Sequence, residues 1–337
     1  MESVVSEPAA PLGALRDDGS VDPAHAAALT DELAVALYEH MVLTRAIDER
    51  LIALQREGAV ATHASSVGEE AAIVGAAAAM RDDDWIFPSS REHGAALWRG
   101  MPLAAYAHHA FGTGLDVAKG RSAPDPAFWK AARVASGSPL VGTQIAHAVG
   151  VAWAARVRKV DAAALVFFGE GATSCGDFHT ALNFAGVTRA PVIALCRNNG
   201  WATSTPASRQ TASGSFAIKA VAYGLRGVRV DGSDVVAVFS VVRDARARAA
   251  AGQGGTLVEA ILVGDDRPDP LARTRTHLQA RGLWDAEREA RLSTEVKADV
   301  DRAIAEAQCA PPPGRDTMFD GVYAELPWHL QEQKSAR

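Results

Sequence analysis

Short apolar runs alternate with longer amphipathic segments in the middle of the chain, between residues 143 and 263. The apolar runs have the length of strands, and the segments between them repeat apolar residues at the three- and four-residue steps of a helix. The predicted strands are Ala162–Phe168, Val192–Cys196, Val228–Val230 and Thr256–Val263, and the predicted helices are Thr143–Arg156, Phe178–Val187, Phe216–Tyr223 and Val235–Ala251. This alternation predicts an α/β fold with a doubly wound, mostly parallel sheet.

The residues before this region carry a helical pattern. Thr30 has the character of a helix N-cap followed by acids, and apolar residues then recur at helical spacing until Gly58. A small-residue helix, a short strand and a second helix are predicted next, over Gly68–Met80, Trp85–Phe87 and Leu103–Phe111. Residues 112–139 show no period, and an irregular stretch of this length is usually functional or disordered.

The chain becomes helical again beyond Pro270. Two helices are predicted over Leu271–Arg281 and Glu287–Ala307, and the proline run after them ends the second helix. An extended apolar tail follows, and it needs a surface on the domain or on a partner to lie on. The predicted organisation is a flexible N-terminal arm over 1–29, one domain over 30–270 that includes the N-terminal helices, and C-terminal helices with the tail over 271–337.

Composition and charge fit a soluble globular protein. Of the 337 residues, 48% are hydrophobic and 22% are charged, and the formal net charge is −6. No excess of basic residues points to nucleic acid, and the longest apolar runs are far shorter than a membrane span. The N-terminus lacks the charged-then-apolar pattern of a signal peptide, so we expect a cytoplasmic protein without membrane contact.

Oxygen-bearing side chains follow two of the predicted strands, at the point where each strand ends. Glu170 lies between two glycines after the first of these strands, and Asn199 follows the second. If the two strands are adjacent and parallel, both side chains emerge at the sheet edge where ligands bind in open α/β folds. Carboxylate and amide oxygens suit Mg²⁺, and glycines let backbone N–H groups approach a phosphate. The hypothesis is a metal–diphosphate site, although a plain turn would explain the Gly-Glu-Gly segment alone.

Two segments carry a resemblance to a known family. GEGATSCGDFHTALNFA, followed by APVIALCRNNGWATSTP, resembles the thiamine diphosphate motif, which begins with GDG or GEG and ends in NN. From about Leu33 to Leu330 the chain is similar to the α subunit of the E1 component of 2-oxo acid dehydrogenase complexes, and within that family to the branched-chain type. Further segments that carry the resemblance are VGEEAAIVGAAAAM, REHGAALWRG, GTQIAHAVGVAWA and FDGVYAELPWHL.

The resemblance implies a set of cofactor-binding residues. It assigns Mg²⁺ to the Glu170 carboxylate, the Asn199 carboxamide and the backbone carbonyl of Trp201. It assigns the diphosphate to backbone N–H groups of Gly171 and Ala172. The other residues that it places around thiamine diphosphate are Ser90, where the family has Tyr, together with Arg91, Leu140, Gly169 and Arg197.

The resemblance also suggests roles for charged residues and histidines. Arg91 and Arg197 would contact phosphate oxygens, and the alternative for Arg91 is a surface ion pair with Glu92. His63 and His93 lie in loops that the family places near its substrate channel, which makes them catalytic candidates. The alternative for both is a loop histidine with solvent or packing partners. Some relatives hold a structural potassium ion at the positions of Ser138, Thr143 and Gln144. A polar helix start explains those three residues equally well.

The activity implied by the resemblance is decarboxylation of a 2-oxo acid on thiamine diphosphate and reductive acylation of a lipoyl group. The carboxylate that activates the cofactor comes from a β subunit in this family, so an α₂β₂ heterotetramer and a lipoyl-bearing acyltransferase are the expected partners. Branched-chain 2-oxo acids are the first substrate class, and pyruvate is the second. After Val263, however, the chain lacks the family's histidine-containing loop. The alternatives are therefore transfer to a non-lipoyl acceptor, or a degenerate cofactor-binding subunit without turnover.

Overall fold

The structure, a computed structural model, describes residues 10–23, 25, 29–122, 127–263 and 268–336. The strands in these residues are β1 (Trp85–Phe87), β2 (Ala164–Gly169), β3 (Val192–Asn198), β4 (Trp201–Ala202), β5 (Thr205–Pro206), β6 (Arg226–Asp231) and β7 (Thr256–Ile261). Five of them form one parallel sheet in the order β1-β2-β3-β7-β6, and β4 pairs with β5 as a small antiparallel hairpin.

Helices cover both faces of the sheet. They are α1 (Asp31–Arg56), α2 (Glu70–Ala78), α3 (His93–Trp98), α4 (Leu103–Phe111), α5 (Thr143–Val157), α6 (Gly176–Thr188), α7 (Val235–Ala250), α8 (Pro270–Ala280), α9 (Ala286–Cys309) and α10 (Trp328–Ser335). Helices α5 and α6 share a core with one face, and α1, α2 and α7 share a core with the other. The predicted doubly wound α/β fold is therefore confirmed.

The two cores meet through the central strands, whose side chains alternate between them. In β2, Val166 and Phe168 face the core of α5 and α6, whereas Leu165 and Phe167 face the core of α1, α2 and α7. All four are fully buried. A strand that is covered on both faces needs apolar residues at every position, which explains why the strands appear in the sequence as continuous apolar runs.

The N-terminal arm differs from its prediction in the part that the structure describes. Leu12 pairs with Val230 at the exposed edge of β6. The backbone N–H groups of Ala14 and Leu15 donate to the buried Asp234 carboxylate at 2.7 and 2.6 Å. An edge strand and a buried carboxylate thus give residues 10–22 backbone partners, and the prediction of a flexible arm is wrong for them. Residues 1–9 lie outside the described part of the chain.

Two further elements differ in type from the predictions, and the first helix agrees with its prediction. The predicted helix over Phe216–Tyr223 is a 3-10 helix, Ala217–Tyr223. The C-terminal tail, predicted to be extended, contains a 3-10 turn, Arg315–Phe319, and helix α10. The first helix agrees with its prediction, because the Thr30 side chain accepts from the Leu33 N–H at its start. Among the described helices, none combines the length and the apolar character needed to cross a bilayer.

Candidate functional site

The ends of β2 and β3 lie side by side, as the sequence predicts. The two strands are parallel neighbours, and Gly169 stands opposite Arg197 in their register. Glu170 begins a 3-10 turn directly after β2, and Asn199 follows directly after β3. Both residues therefore reach the carboxyl edge of the sheet, where they line a cavity of about 430 Å³. We call it the strand-edge cavity.

The strand-edge cavity brings together residues that are widely separated in the sequence. All of the residues that the resemblance places around thiamine diphosphate line it: Ser90, Arg91, Leu140, Gly169, Glu170, Gly171, Ala172, Arg197, Asn199 and Trp201. The irregular stretch before α5 contributes Ser138, and the first turn of α5 contributes Gln144. Thr143 lies at the start of α5 and is not among the lining residues.

Glu170 is the most unusual residue of the cavity. Its side chain is 1% exposed, and its Oε1 atom has no hydrogen-bond partner among the described residues. Burial raises the pKa of this carboxyl, against the effect of nearby backbone N–H groups, which lower it. A buried carboxylate oxygen without a partner is costly, and a bound cation would remove that cost. The donor set therefore fits a hard cation such as Mg²⁺.

The two asparagines after Arg197 have different surroundings. The Asn198 amide donates to the buried carboxylate of Glu259 at 2.8 Å, so it is fixed within the fold. Asn199 lines the cavity, and its Oδ1 atom accepts from the Trp201 N–H at 3.1 Å. An amide oxygen has two lone pairs, so this contact leaves one lone pair for a ligand.

A glycine is required where the turn after β2 passes the hairpin. A Cβ atom added to Gly171 would lie 2.7 Å from the Cβ atom of Ala202 in β4, which is closer than real Cβ contacts. The missing side chain therefore allows the backbone of the turn to pass close to the hairpin at the cavity wall.

The two arginines of the cavity differ in their freedom to bind a ligand. Arg197 is buried, and its guanidinium contacts the carboxylates of Glu69 and Glu92, with Glu92 at 2.5 Å. Arg91 is 38% exposed, donates to the Ser65 carbonyl, and lies 3.6 Å from Glu69. The alternative of an Arg91–Glu92 surface pair is wrong, because Glu92 is buried and pairs with Arg197. Arg91 is thus the arginine that remains available to a phosphate.

The catalytic candidates His63 and His93 lie together and do not line the strand-edge cavity. His63 Nε2 lies 2.6 Å from Asp48 Oδ1, and the His93 ring is 5.6 Å from the His63 ring. Both side chains are about 1% exposed, and neither lines the cavity. A catalytic role for either histidine stays a prediction. The short contact with the buried Asp48 accounts for the inward position of His63.

Sequence reasoning missed the roles of Glu69 and Glu92. Both are buried and hold Arg197 in place. The sequence did contain a signal for Glu69, because this residue directly precedes helix α2, whose residues are almost all apolar. A charged residue at such a position must be paired. Its partner could not be predicted from the sequence, because Arg197 lies 128 residues further along the chain, in β3, and only the folded sheet brings the two together.

A larger cleft of about 570 Å³ lies between α1, α8 and α9. Several of its charged side chains already have partners, which makes it less suited to a charged cofactor. Arg45 pairs with the buried Glu70 and with Asp269, and Tyr38 donates to Glu289. It also lies away from the carboxyl ends of the strands, where open α/β sheets bind ligands.

The fold and the position of the cavity are those of a ligand-binding protein with an open α/β sheet. A family model described as "Dehydrogenase E1 component" matches residues 38–263, and the chain belongs to this family. The chain is thus an enzyme component of the oxidoreductase class, and the family implies thiamine diphosphate as cofactor and a β subunit as partner.

Relatives share most of the chain. It is 37% identical to 2-oxoisovalerate dehydrogenase subunit alpha 2, mitochondrial, of Arabidopsis thaliana, over 91% of this chain and 70% of that protein. It is 40% identical to 3-methyl-2-oxobutanoate dehydrogenase subunit alpha of Mycobacterium tuberculosis, over 91% of this chain and 87% of that protein. It is 35% identical to pyruvate dehydrogenase E1 component subunit alpha of Staphylococcus aureus, over 90% of this chain and 86% of that protein. The resemblance seen in the sequence is confirmed.

Proposed function

We propose that this chain is the α subunit of an α₂β₂ dehydrogenase that decarboxylates branched-chain 2-oxo acids and reductively acylates a lipoyl group. The proposal is supported by relatives named 2-oxoisovalerate dehydrogenase and 3-methyl-2-oxobutanoate dehydrogenase, which match nearly the whole chain. Pyruvate is the alternative candidate substrate, since the chain is similar to a pyruvate dehydrogenase subunit to nearly the same extent. Localisation in the cytoplasm is part of the proposal and rests on the sequence alone.

The observation that carries the proposal is the buried, unpartnered Oε1 atom of Glu170 at the edge of two parallel strands. In the proposed site, Glu170, Asn199 and the Trp201 carbonyl would hold Mg²⁺, which would offset the negative charge of the diphosphate. Backbone N–H groups of Gly171 and Ala172, at the start of the 3-10 turn, bind the diphosphate. Thiamine diphosphate, when bound, supplies the electron sink that decarboxylation requires.

Other polar groups of the cavity have distinct parts in the proposal. Arg91, partly exposed, contacts the diphosphate, whereas Arg197 is held by the buried Glu69 and Glu92. The Oε1 atom of Gln144 is buried and unpartnered among the described residues. Together with Ser138 it is our candidate for the potassium ion, which would satisfy that oxygen.

The rim of the strand-edge cavity supports a site that is completed by another chain. Leu140, Val141 and Trp201 at the rim are 69%, 63% and 57% exposed. Exposed apolar residues around a polar cavity are typical of a surface that a partner covers. In the proposed assembly, the β subunit covers this rim, excludes water and supplies the remaining half of the active site.

The test is coexpression of this chain with its β subunit, followed by assay on a panel of 2-oxo acids. Substrate-dependent reduction of ferricyanide reports decarboxylation without any lipoyl acceptor, and a lipoyl domain then tests acyl transfer. We expect thiamine diphosphate-dependent turnover that is fastest with the branched-chain acids, and acylation of the lipoyl domain.

Three outcomes would contradict parts of the proposal. A pair that retains no thiamine diphosphate would contradict the enzyme assignment, and faster turnover of pyruvate would reverse the order of substrates. Turnover with ferricyanide but no lipoyl acylation would show a different acceptor. The first segment to examine for the cause of such a change in acceptor would be the shortened one after Val263. Residues 264–267 of that segment lie outside the described part of the chain.

A further inference from the structure

Three separate elements bring two histidines and an aspartate together behind the cavity. Asp48 lies on α1, His63 in the loop over residues 57–69, and His93 at the start of α3. All three are buried, and their potential ligand atoms lie within 4.8 Å of one another. No other group of this kind occurs in the described part of the chain. We call these three residues the histidine cluster.

His93 is poorly satisfied by hydrogen bonds in this position. Its Nδ1 atom has no partner among the described residues. Its Nε2 atom lies 3.4 Å from the Thr44 carbonyl, 3.5 Å from Ser66 Oγ and 3.8 Å from Asp48 Oδ1. These distances are long for hydrogen bonds, and an unsatisfied buried imidazole is costly.

We propose that the histidine cluster binds a divalent transition cation, and that Zn²⁺ is the ion that it fits. Two imidazoles and a carboxylate are a common zinc ligand set. Tetrahedral Zn²⁺ with bonds of about 2.0–2.2 Å holds its ligand atoms about 3.4 Å apart. From Asp48 Oδ1, His63 Nε2 lies at 2.6 Å and His93 Nε2 at 3.8 Å, on either side of this value. All three potential ligand atoms lie within 4.8 Å of one another, so modest side-chain shifts would bring them to tetrahedral spacing.

The surroundings of Asp48 are those of a supported metal ligand. Ser65 Oγ donates to Asp48 Oδ2 at 2.8 Å, and the Ser66 N–H donates to Oδ1 at 3.2 Å. Such contacts orient ligand carboxylates. Thr62 and Val67, in the same loop, are exposed, whereas the three residues of the cluster are buried.

A bound ion would also stabilise one wall of the strand-edge cavity. The Ser65 carbonyl accepts from Arg91, so the loop that the ion fixes is the loop that holds this arginine. The ion would connect α1, the loop and α3 at a place where their own hydrogen bonds are incomplete. The proposal does not depend on the function of the cavity, because it concerns other side chains.

The test is titration of the metal-free chain with Zn²⁺ in competition with a chromophoric chelator, in excess Mg²⁺ to occupy oxygen sites. We expect one tightly bound Zn²⁺ per chain, with binding that weakens as the pH falls, because protons compete for imidazole. His93→Gln should weaken binding by at least about 100-fold, since even loss of an outer contact costs 10–100-fold. Ser65→Ala removes such an outer contact and should weaken binding by about 10–100-fold.

The matched control is His109→Gln. His109 pairs with Asp116 at 2.9 Å, and both side chains are fully buried, but no third ligand joins them among the described residues. This variant should bind Zn²⁺ as the unmodified chain does. Equal Zn²⁺ affinity in His93→Gln and the unmodified chain would overturn the proposal, because the bound ion would then lie elsewhere.

Measurements on the unmodified chain keep the proposal testable if His93→Gln fails to fold. Co²⁺ in place of Zn²⁺ should give the intense visible bands of a tetrahedral site. An unmodified chain that binds no Zn²⁺ would show that the cluster is only hydrogen-bonded, and the Co²⁺ spectrum of an octahedral ion would contradict a tetrahedral zinc site.

Discussion

The strand-edge cavity and the histidine cluster are neighbouring polar sites that are built in different ways. The cavity is formed by residues just past the ends of two adjacent parallel strands, so the sheet register places Glu170 and Asn199 together. The histidine cluster joins a helix, a loop and the start of another helix. Regular backbone pairing positions the first site, whereas only side-chain packing positions the second. The ion pairs of Glu69 and the contact of Arg91 with Ser65 connect the two.

The largest effect is expected when the ion pairs at this junction are broken. Arg197→Leu leaves Glu92 buried without its cation and leaves Glu69 with only the more distant Arg91, at 3.6 Å. Breaking a buried pair in this way should lower the free energy of unfolding by about 3–5 kcal/mol, as measured by urea denaturation. Arg302→Leu removes an exposed arginine that pairs with Asp299, and it should cost less than about 1 kcal/mol. Equal effects would show that the junction is not a buried electrostatic centre.

A smaller effect is expected from a single methyl group at the cavity wall. Gly171→Ala places a Cβ atom against Ala202, and this overpacking should destabilise the fold by about 1–3 kcal/mol. Gly150→Ala on α5 is the control, because no atom lies within 4 Å of the added carbon. It should stabilise the helix by up to about 1 kcal/mol. Thermal unfolding of both variants measures their stabilities. It distinguishes the cost of the close contact at residue 171 from the effect of a glycine-to-alanine substitution in general.

The smallest effect on the subunit itself is expected at the rim. Leu140→Ala removes an exposed side chain, so its effect on the stability of the isolated chain should stay within about 0.5 kcal/mol. Its affinity for the β subunit should nevertheless fall, because the rim is the proposed interface. Leu115→Ala, at a leucine of similar exposure that does not line the cavity, should leave the affinity unchanged. Analytical ultracentrifugation of the mixed subunits distinguishes these outcomes.

The contrast between the two sites also shows how far the sequence could lead. The apolar runs of β2 and β3 and the turns after them predicted that Glu170 and Asn199 meet, because parallel strands share one carboxyl edge. The pairing of Arg197 with Glu69 could not be predicted from the sequence, since it depends on long-range packing.

Other elements were beyond local patterns for similar reasons. Nothing within residues 10–22 indicates that an edge strand and Asp234 will hold them. The grouping of His63 and His93 with Asp48 depends on how α1 packs beside α3, and no spacing in the sequence encodes it. Local patterns thus predicted the elements and the strand-edge site, whereas contacts between distant elements required the structure.

The most direct test of the central claim is thiamine diphosphate binding to the coexpressed α and β subunits, with and without Mg²⁺. Glu170→Gln keeps the size of the side chain but removes the charge at the proposed metal, and Glu287→Gln makes the same change at an exposed position. The unmodified pair and Glu287→Gln should bind the cofactor equally well and only with Mg²⁺. Glu170→Gln should bind at least about 100-fold more weakly. Unchanged affinity and unchanged Mg²⁺ dependence in Glu170→Gln would contradict the account.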